Sequence, residues 1–377
     1  MTIWIDSPEK LHAFCTDEVR DVLAVDTESD HFHAYRPQVC LIQVATPEAT
    51  AFVDPLAMDQ AQMAPLLELF EDDGVEKLLH SARNDLGELD RDYGVDFRGV
   101  FDTQVAARFL DYQRNSLDWL LEEVCGVEPG PDFGRFDWTQ RPLPDRALHY
   151  AEGDVVHLFE LHRRFREELE SLGWLEAFEQ QCAHICRSTE HQLNPFDPEG
   201  WRGLRGVDKL DGRGRATARQ LYLWRHELCL EINRSPVTFF SNSALIRLAK
   251  KRPISMEELE ARSRVSKSLV EDHGREIVDV IRRAGEAPIP PKDVEDPRYR
   301  GSKPTAEERA RYKRLRSWRN ETSRRLVIPG EFIATNATLK KIAANPPKTV
   351  EELGEFSAIL AWHCELLGSE ILDAMGG

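Results

Sequence analysis

Asp26 and Glu28 stand two residues apart at the end of the apolar run Val22-Leu23-Ala24-Val25. Side chains alternate along a strand, so residues i and i+2 project from one face and these two carboxylates point together. Bare carboxylates side by side repel, and one must hold its proton more tightly unless a cation lies between them. A divalent metal is the usual cation; the plainer alternative is that Asp26 closes a strand and Glu28 opens a loop. Two more carboxylates follow. Asp85 sits at the strand-to-helix transition His80-Ser81-Ala82-Arg83-Asn84-Asp85, where a helix dipole favours acid without any chemistry. Asp154 ends the stretch His149-Tyr150-Ala151-Glu152-Gly153-Asp154. If that stretch is helical, Tyr150 lies about 40° from Asp154 around the axis and His149 about 140°. Gly153 in mid-helix costs about 1 kcal/mol relative to Ala, so it marks either a close approach or a kink. An all-carboxylate set selects hard cations such as Mg²⁺ or Mn²⁺ over zinc. Cys182, His184 and Cys186 form part of a zinc pattern, but nothing completes four ligands, and core cysteines four apart on a helix explain them better.

The elements that must carry these residues alternate strand and helix. Apolar, β-branched runs at Val22–Val25, Val39–Val44, Ala51–Val53 and Val75–Leu79 predict strands. Helical spacing marks Met63–Phe70, Asp85–Asp92, Thr103–Leu110, Leu117–Val124 and one long helix near Asp145–Leu172. Three strands in quick succession, then helices with a single further strand, predict an α/β domain with a mixed sheet. Asp102 directly precedes a helix, and an N-cap role explains it without placing it in the site.

The chain has 377 residues and a net charge of −17. Residues 1–194 carry about 16 Lys and Arg against about 39 Asp and Glu, and the remainder is positive by about 6. An acidic front and a mildly basic back fit a metal-dependent catalytic domain joined to a module that grips a polyanion. The amino-terminal residues show no signal-peptide pattern, no stretch is apolar enough to span a bilayer, and seven unpaired cysteines suit a reducing cytoplasm.

Beyond about residue 195 the strand signal ends and a repeat begins. Trp224-Arg225 recurs as Trp318-Arg319, and the same offset of 94 relates Asn242 to Asn336, Pro253 to Pro347 and Gly274 to Gly368. A Pro-rich, charged linker within 285–304 separates the copies. Each copy is long enough for several short helices with a small core of its own.

These motifs resemble, in order, those of the DEDD 3′→5′ exonucleases, and most closely the ribonuclease D family. Asp26-Thr27-Glu28 with Leu41-Ile42-Gln43, Leu79-His80 leading to Asp85-Leu86, and Tyr150-x-x-x-Asp154 are similar to its three exonuclease motifs. Phe101-Asp102-Thr103 and Asp137-Trp138 with Arg141-Pro142-Leu143 resemble segments between them, although the lysine often found before the Asp-Trp pair is replaced near Pro131. His149 also meets the spacing of a sister subfamily that uses histidine. The repeats resemble HRDC domains. The resemblance implies a ribonuclease H-like exonuclease domain over 1–194 and HRDC domains over 212–286 and 304–377. It implies that Asp26, Glu28, Asp85 and Asp154 hold two divalent ions, Mg²⁺ or Mn²⁺, with Tyr150 orienting the attacking water. The expected protein is a monomeric cytoplasmic exoribonuclease without membrane contact, releasing nucleoside 5′-monophosphates from RNA 3′ ends, with tRNA precursors as the substrate class. An exonuclease acting on DNA 3′ ends and a nucleic-acid binding protein with an inactive nuclease fold are the competing readings; no P-loop is present, so no helicase motor is expected.

Overall fold

A computed structural model describes residues 2–128, 130–131, 133–188, 196–262, 265–292 and 304–376. The chain divides into two compact units: Met1–Ser29, Val39–Gln192 and Ser302–Gly377 form the first, and Asp30–Gln38 with Leu193–Gly301 the second.

The first unit holds a six-stranded sheet of β1 (Thr2–Ile5), β2 (Val22–Ser29), β3 (Val39–Ala45), β4 (Thr50–Val53), β5 (Glu76–Leu79) and β6 (Val100–Asp102). Their order is β1-β4-β3-β2-β5-β6. β3 runs antiparallel to both neighbours and every other pairing is parallel, which is the mixed sheet expected. The two strands that the sequence does not announce, β1 and β6, have 4 and 3 residues, too few for an alternation to show. Every residue of β3 is buried, as befits a strand covered on both faces.

The sheet is surrounded by α1 (Pro8–Asp17), α2 (Ala64–Glu71), α3 (Arg83–Tyr93), α4 (Thr103–Phe109), α5 (Leu117–Leu120), α6 (Asp145–Val156), α7 (Leu158–Leu172) and α8 (Leu175–Ser188). The single long helix expected near Asp145–Leu172 is two helices, parted at His157. Tyr150 and Asp154 therefore ride on the short α6, which packs on β2 and β3.

The second unit contains α9 (Gly212–Glu231), α10 (Pro236–Phe239), α11 (Asn242–Lys251), α12 (Met256–Arg262) and α13 (Lys267–Glu286). The second copy repeats them as α14 (Ala306–Leu326), α15 (Gly330–Ile333), α16 (Asn336–Ala344), α17 (Val350–Gly354) and α18 (Ala361–Gly376). The offset of 94 extends to individual bonds. Trp224 Nε1 donates to Glu276 at 3.3 Å, and Trp318 Nε1 to Glu370 at 3.1 Å. Arg225 donates to the Phe240 carbonyl at 2.7 Å, and Arg319 to that of Ala334 at 3.1 Å. A Cβ on Gly274 would meet Met256 at 2.7 Å, and one on Gly368 would meet Val350 at 2.9 Å, so each glycine lets a short helix close on a long one.

The copies differ in what they pack against. The first keeps its own core around Trp201, Leu221, Leu245 and Ile277. The second has no separate core, contrary to the sequence expectation: Leu315, Phe332, Leu339 and Trp362 belong to the same continuous cluster as Val25, Phe109 and Phe178. Phe109 of α4 stacks on Phe332 with centroids 4.7 Å apart, and Trp174 meets Trp362 edge-on at 6.2 Å. Arg108 lies over the Phe332 ring at 4.6 Å and pairs with Glu331. Amphipathic spacing shows that a helix has an apolar face but not which neighbour will cover it.

In the second unit the loop Asp30–Gln38, which follows Ser29 in the chain, is bound to the first helical copy. The Ser235 amide donates to the His33 carbonyl at 3.0 Å, the Thr238 hydroxyl to that of Phe32 at 3.0 Å, and Tyr35 hydrogen-bonds His226. Among the described residues no helix is long and apolar enough to cross a membrane.

Candidate active site

β2 runs on past β5, whose pairing stops at Ala24, so its end is open to other elements. Asp26 and Glu28 occupy that end, opposite Gln43 and Leu41 of β3, and the register shifts directly after Glu28. α6 supplies Asp154. Ligand oxygens of Asp26, Glu28 and Asp154 all lie within 4.8 Å of one another, the one such group of three or more potential metal ligands among the described residues. Asp85 enters from the first turn of α3, buried, and its Oδ1 accepts a hydrogen bond from the Thr27 hydroxyl at 2.6 Å.

Electrostatics follow from that crowding. Burial, with the charge of Asp154 beside it, raises the Asp26 carboxyl well above the usual range. Glu28 is pushed up to about 10, by burial first and then by Asp26, Asp154 and Asp85. Burial and the neighbouring Asp118 lift Asp154 to about 7, against a hydrogen bond from Tyr150 that lowers it. Asp85 is likewise raised, by burial and then by Asp26. Each group resists its charge for want of a counter-charge, and all the donors are carboxylate oxygens. A hard divalent cation relieves both conditions, so the residues fit such an ion.

Tyr150 is half-buried while His149 is exposed. Burial, followed by the charges of Asp154, Glu28 and Asp26, raises the Tyr150 hydroxyl, so it keeps its proton and serves as a hydrogen-bond donor. The segment around Asp137-Trp138 backs the tyrosine. Phe133 and buried Trp138 lie 5.4 and 6.4 Å from its ring. Arg141 fastens that segment through a fork onto Asp54, at 2.7 and 2.6 Å, and a bond to the Cys40 carbonyl at 2.7 Å. A Cβ on Gly153 would meet nothing within 4 Å, so this face of α6 is open beside Asp154.

Residues 2–170 match the family described as 3′-5′ exonuclease, and residues 215–281 and 308–375 each match the HRDC domain. A ribonuclease D of Cronobacter turicensis is 27% identical over 380 residues, which is 97% of this chain and 98% of that protein. The chain is a 3′→5′ exonuclease carrying two HRDC domains, similar to ribonuclease D over its whole length. The catalytic core of RRP6 from Trypanosoma brucei is similar with a TM-score of 0.68 at 26% identity, over 75% of this chain and 79% of that one. Escherichia coli RNase D, described as an exoribonuclease involved in structured RNA processing, matches the fold with a TM-score of 0.65 at 24% identity, over 99% and 98%. Hydrolysis in this family depends on divalent metal, in keeping with the donor set found here.

Two acidic residues of this site escape a reading by motif. Glu88 accepts a hydrogen bond from Ser29 at 3.0 Å, and its charge raises Asp26, Glu28 and Asp85. It lies three residues after Asp85, so helical spacing alone could have found it. Asp118 acts on Asp154 from α5, and no local pattern marks it.

Proposed function

We propose that this hydrolytic 3′→5′ exoribonuclease trims the 3′ ends of tRNA precursors, working as a monomer in the cytoplasm and releasing nucleoside 5′-monophosphates. The nuclease module is taken as 1–194 and the two HRDC modules as 212–286 and 304–377. The observation that carries the reading is the convergence of Asp26, Glu28 and Asp154 within 4.8 Å, with Asp85 and Tyr150 against them.

In this proposal Asp26, Glu28, Asp85 and Asp154 would hold two divalent ions, Mg²⁺ or Mn²⁺. Bound ions of this kind supply a nucleophile at neutral pH and stabilise the leaving oxygen. The Tyr150 hydroxyl, which keeps its proton, orients the attacking water by hydrogen bonding instead of removing a proton. Thr27 fixes the Asp85 carboxylate, and Phe133 and Trp138 fix the Tyr150 ring. Uncoupling Tyr150 from that aromatic support would cost positioning more than binding.

The test is digestion of matched RNA and DNA oligonucleotides with free or 3′-blocked ends in Mg²⁺. Stepwise loss of 5′-monophosphates from free RNA ends is the expected result. Equal or faster loss from DNA, or no hydrolysis of either, would overturn the assignment, and the same assay on tRNA precursors with 3′ extensions tests the substrate class.

A further inference from the structure

Within the first unit a cleft of about 910 Å³ lies between the nuclease fold and the second helical copy. Its floor is the turn at Ser81 and Arg83 with the start of α4; its opposite wall is the last half of α14 and the α15–α16 corner. Sites for apolar small molecules are lined mainly by hydrophobic side chains. This lining is polar: four arginines (Arg83, Arg108, Arg319 and Arg324), with asparagine, glutamine and serine side chains between them, against two acids, Asp102 and Glu331.

The four cations are not equivalent. Arg108 is paired with Glu331, and Arg319 gives both terminal nitrogens to the Ala334 carbonyl, Asn336 and Asn320 while its Nε is buried. Asp102 is committed to four backbone amides. What remains for a ligand is Arg83, with no hydrogen bond or ion pair to another described residue, and Arg324, whose sole bond is from Nε to the Asn320 carbonyl at 3.2 Å. Both are exposed, and they face the cleft from opposite sides. By contrast, several other arginines of the two helical copies are engaged within the protein. Arg213 holds the Ala287 carbonyl at 2.7 Å, Arg219 pairs with Glu199 at 3.2 Å, and Arg314 holds the Met375 carbonyl at 2.5 Å.

We infer that this cleft binds the sugar-phosphate backbone of the RNA substrate upstream of the 3′ end being cut, with Arg83 and Arg324 as its phosphate ligands. The inference rests on the exoribonuclease reading above. A planar guanidinium matches phosphate oxygens through paired donors, and the carboxamides and hydroxyls between the two cations suit ribose and phosphate oxygens without reading bases. Arg83 and Asp85 share the first turn of α3 but lie about 200° apart around its axis, so the cleft is a neighbouring face of the helix that carries Asp85. The second helical copy thus contributes a wall of the substrate path and does not act as a remote grip.

The experiment uses the full chain with Asp26→Asn, which stops cleavage, and a fluorescent tRNA precursor with a 3′ extension. Arg83→Glu with Arg324→Glu is compared with Lys250→Glu with Lys251→Glu, a charge change of equal size on the first copy. The cleft variant is expected to raise Kd by at least about tenfold at low salt and to flatten the plot of log K against log salt by about 1.5–2, as for two lost phosphate contacts. The lysine variant should stay within about twofold. Unchanged melting temperature shows that the fold is intact. Where the double reversal does not fold, Arg83→Gln and Arg324→Gln should each give a smaller loss in the same direction. RNA carrying 4-thiouridine upstream of its 3′ end should crosslink to the peptide spanning 319–336. Equal affinities for the two variants, or crosslinks confined to the first copy, would overturn the cleft while leaving the exoribonuclease assignment standing. Failure of the parent protein to bind RNA would overturn both.

Discussion

Oδ2 of Asp102 accepts the Ala82 amide at 2.9 Å, and Oδ1 accepts that of Ser81 at 3.0 Å. Oδ1 also takes the Gln104 and Val105 amides of α4, so one carboxylate caps its own helix and ties down the turn before another. Ser81 sits at φ 64, a conformation a serine holds only when its surroundings enforce it. That turn launches α3, whose first turn carries Asp85. Asp102→Asn replaces one acceptor oxygen with a donor that faces backbone amides. The expected loss is about 1–3 kcal/mol in urea unfolding, together with a fall in kcat on short RNA larger than any change in KM. A stability loss with kcat untouched would reduce Asp102 to an N-cap alone.

Asp26→Asn and Asp154→Asn keep volume but remove charge from the cluster. Each should abolish hydrolysis and leave RNA affinity within a few-fold. In chelated protein Asp26→Asn should raise the melting temperature, since it relieves buried repulsion, and the increase that Mg²⁺ gives the wild type should shrink. Near wild-type turnover in Mg²⁺ would sink the metal model.

Tyr150→Phe should lower kcat at least about tenfold, through loss of the hydrogen bond that positions the water. His149→Ala, exposed and off the face of Asp154, should change it by less than about twofold. The opposite ranking would place the histidine in the water-orienting role.

His363 in α18 is buried between the Leu360 amide, which donates to Nδ1 at 2.8 Å, and the Phe332 carbonyl, which lies 2.6 Å from Nε2. This arrangement requires a neutral ring, and burial depresses its pKa to about 4. With the folded value below the unfolded 6.5, the unfolded chain binds the proton better. The contribution is therefore complete above pH 6.5 and is lost as pH falls toward 4, amounting to about 3 kcal/mol. Urea unfolding of wild type and His363→Asn should show their stability difference shrinking across that window, while a pH-independent difference would mean that protonation is not what this histidine opposes.

Much of the site was legible because its chemistry obeys simple periods. The i, i+2 spacing of Asp26 and Glu28 and the i, i+4 spacing of Tyr150 and Asp154 bring those side chains together on a strand and a helix, and the structure places them side by side. The break at His157 was not legible, since neither glycine nor proline marks it. Short β6 has too few residues to show a period, and the double cap made by its last residue, Asp102, joins segments far apart in sequence. Asp118 and the arginines of the cleft gather from distant segments and have no spacing to read.

The fusion of the second helical copy with the nuclease core sets an order of events during synthesis. Every carboxylate of the buried cluster has been translated by residue 154, yet the face of Phe109 and Trp174 finds Phe332 and Trp362 only well over a hundred residues later. Domains ordinarily fold as units as they emerge from the ribosome. Here a nascent nuclease half must wait with an apolar face bare until the second helical copy has been made.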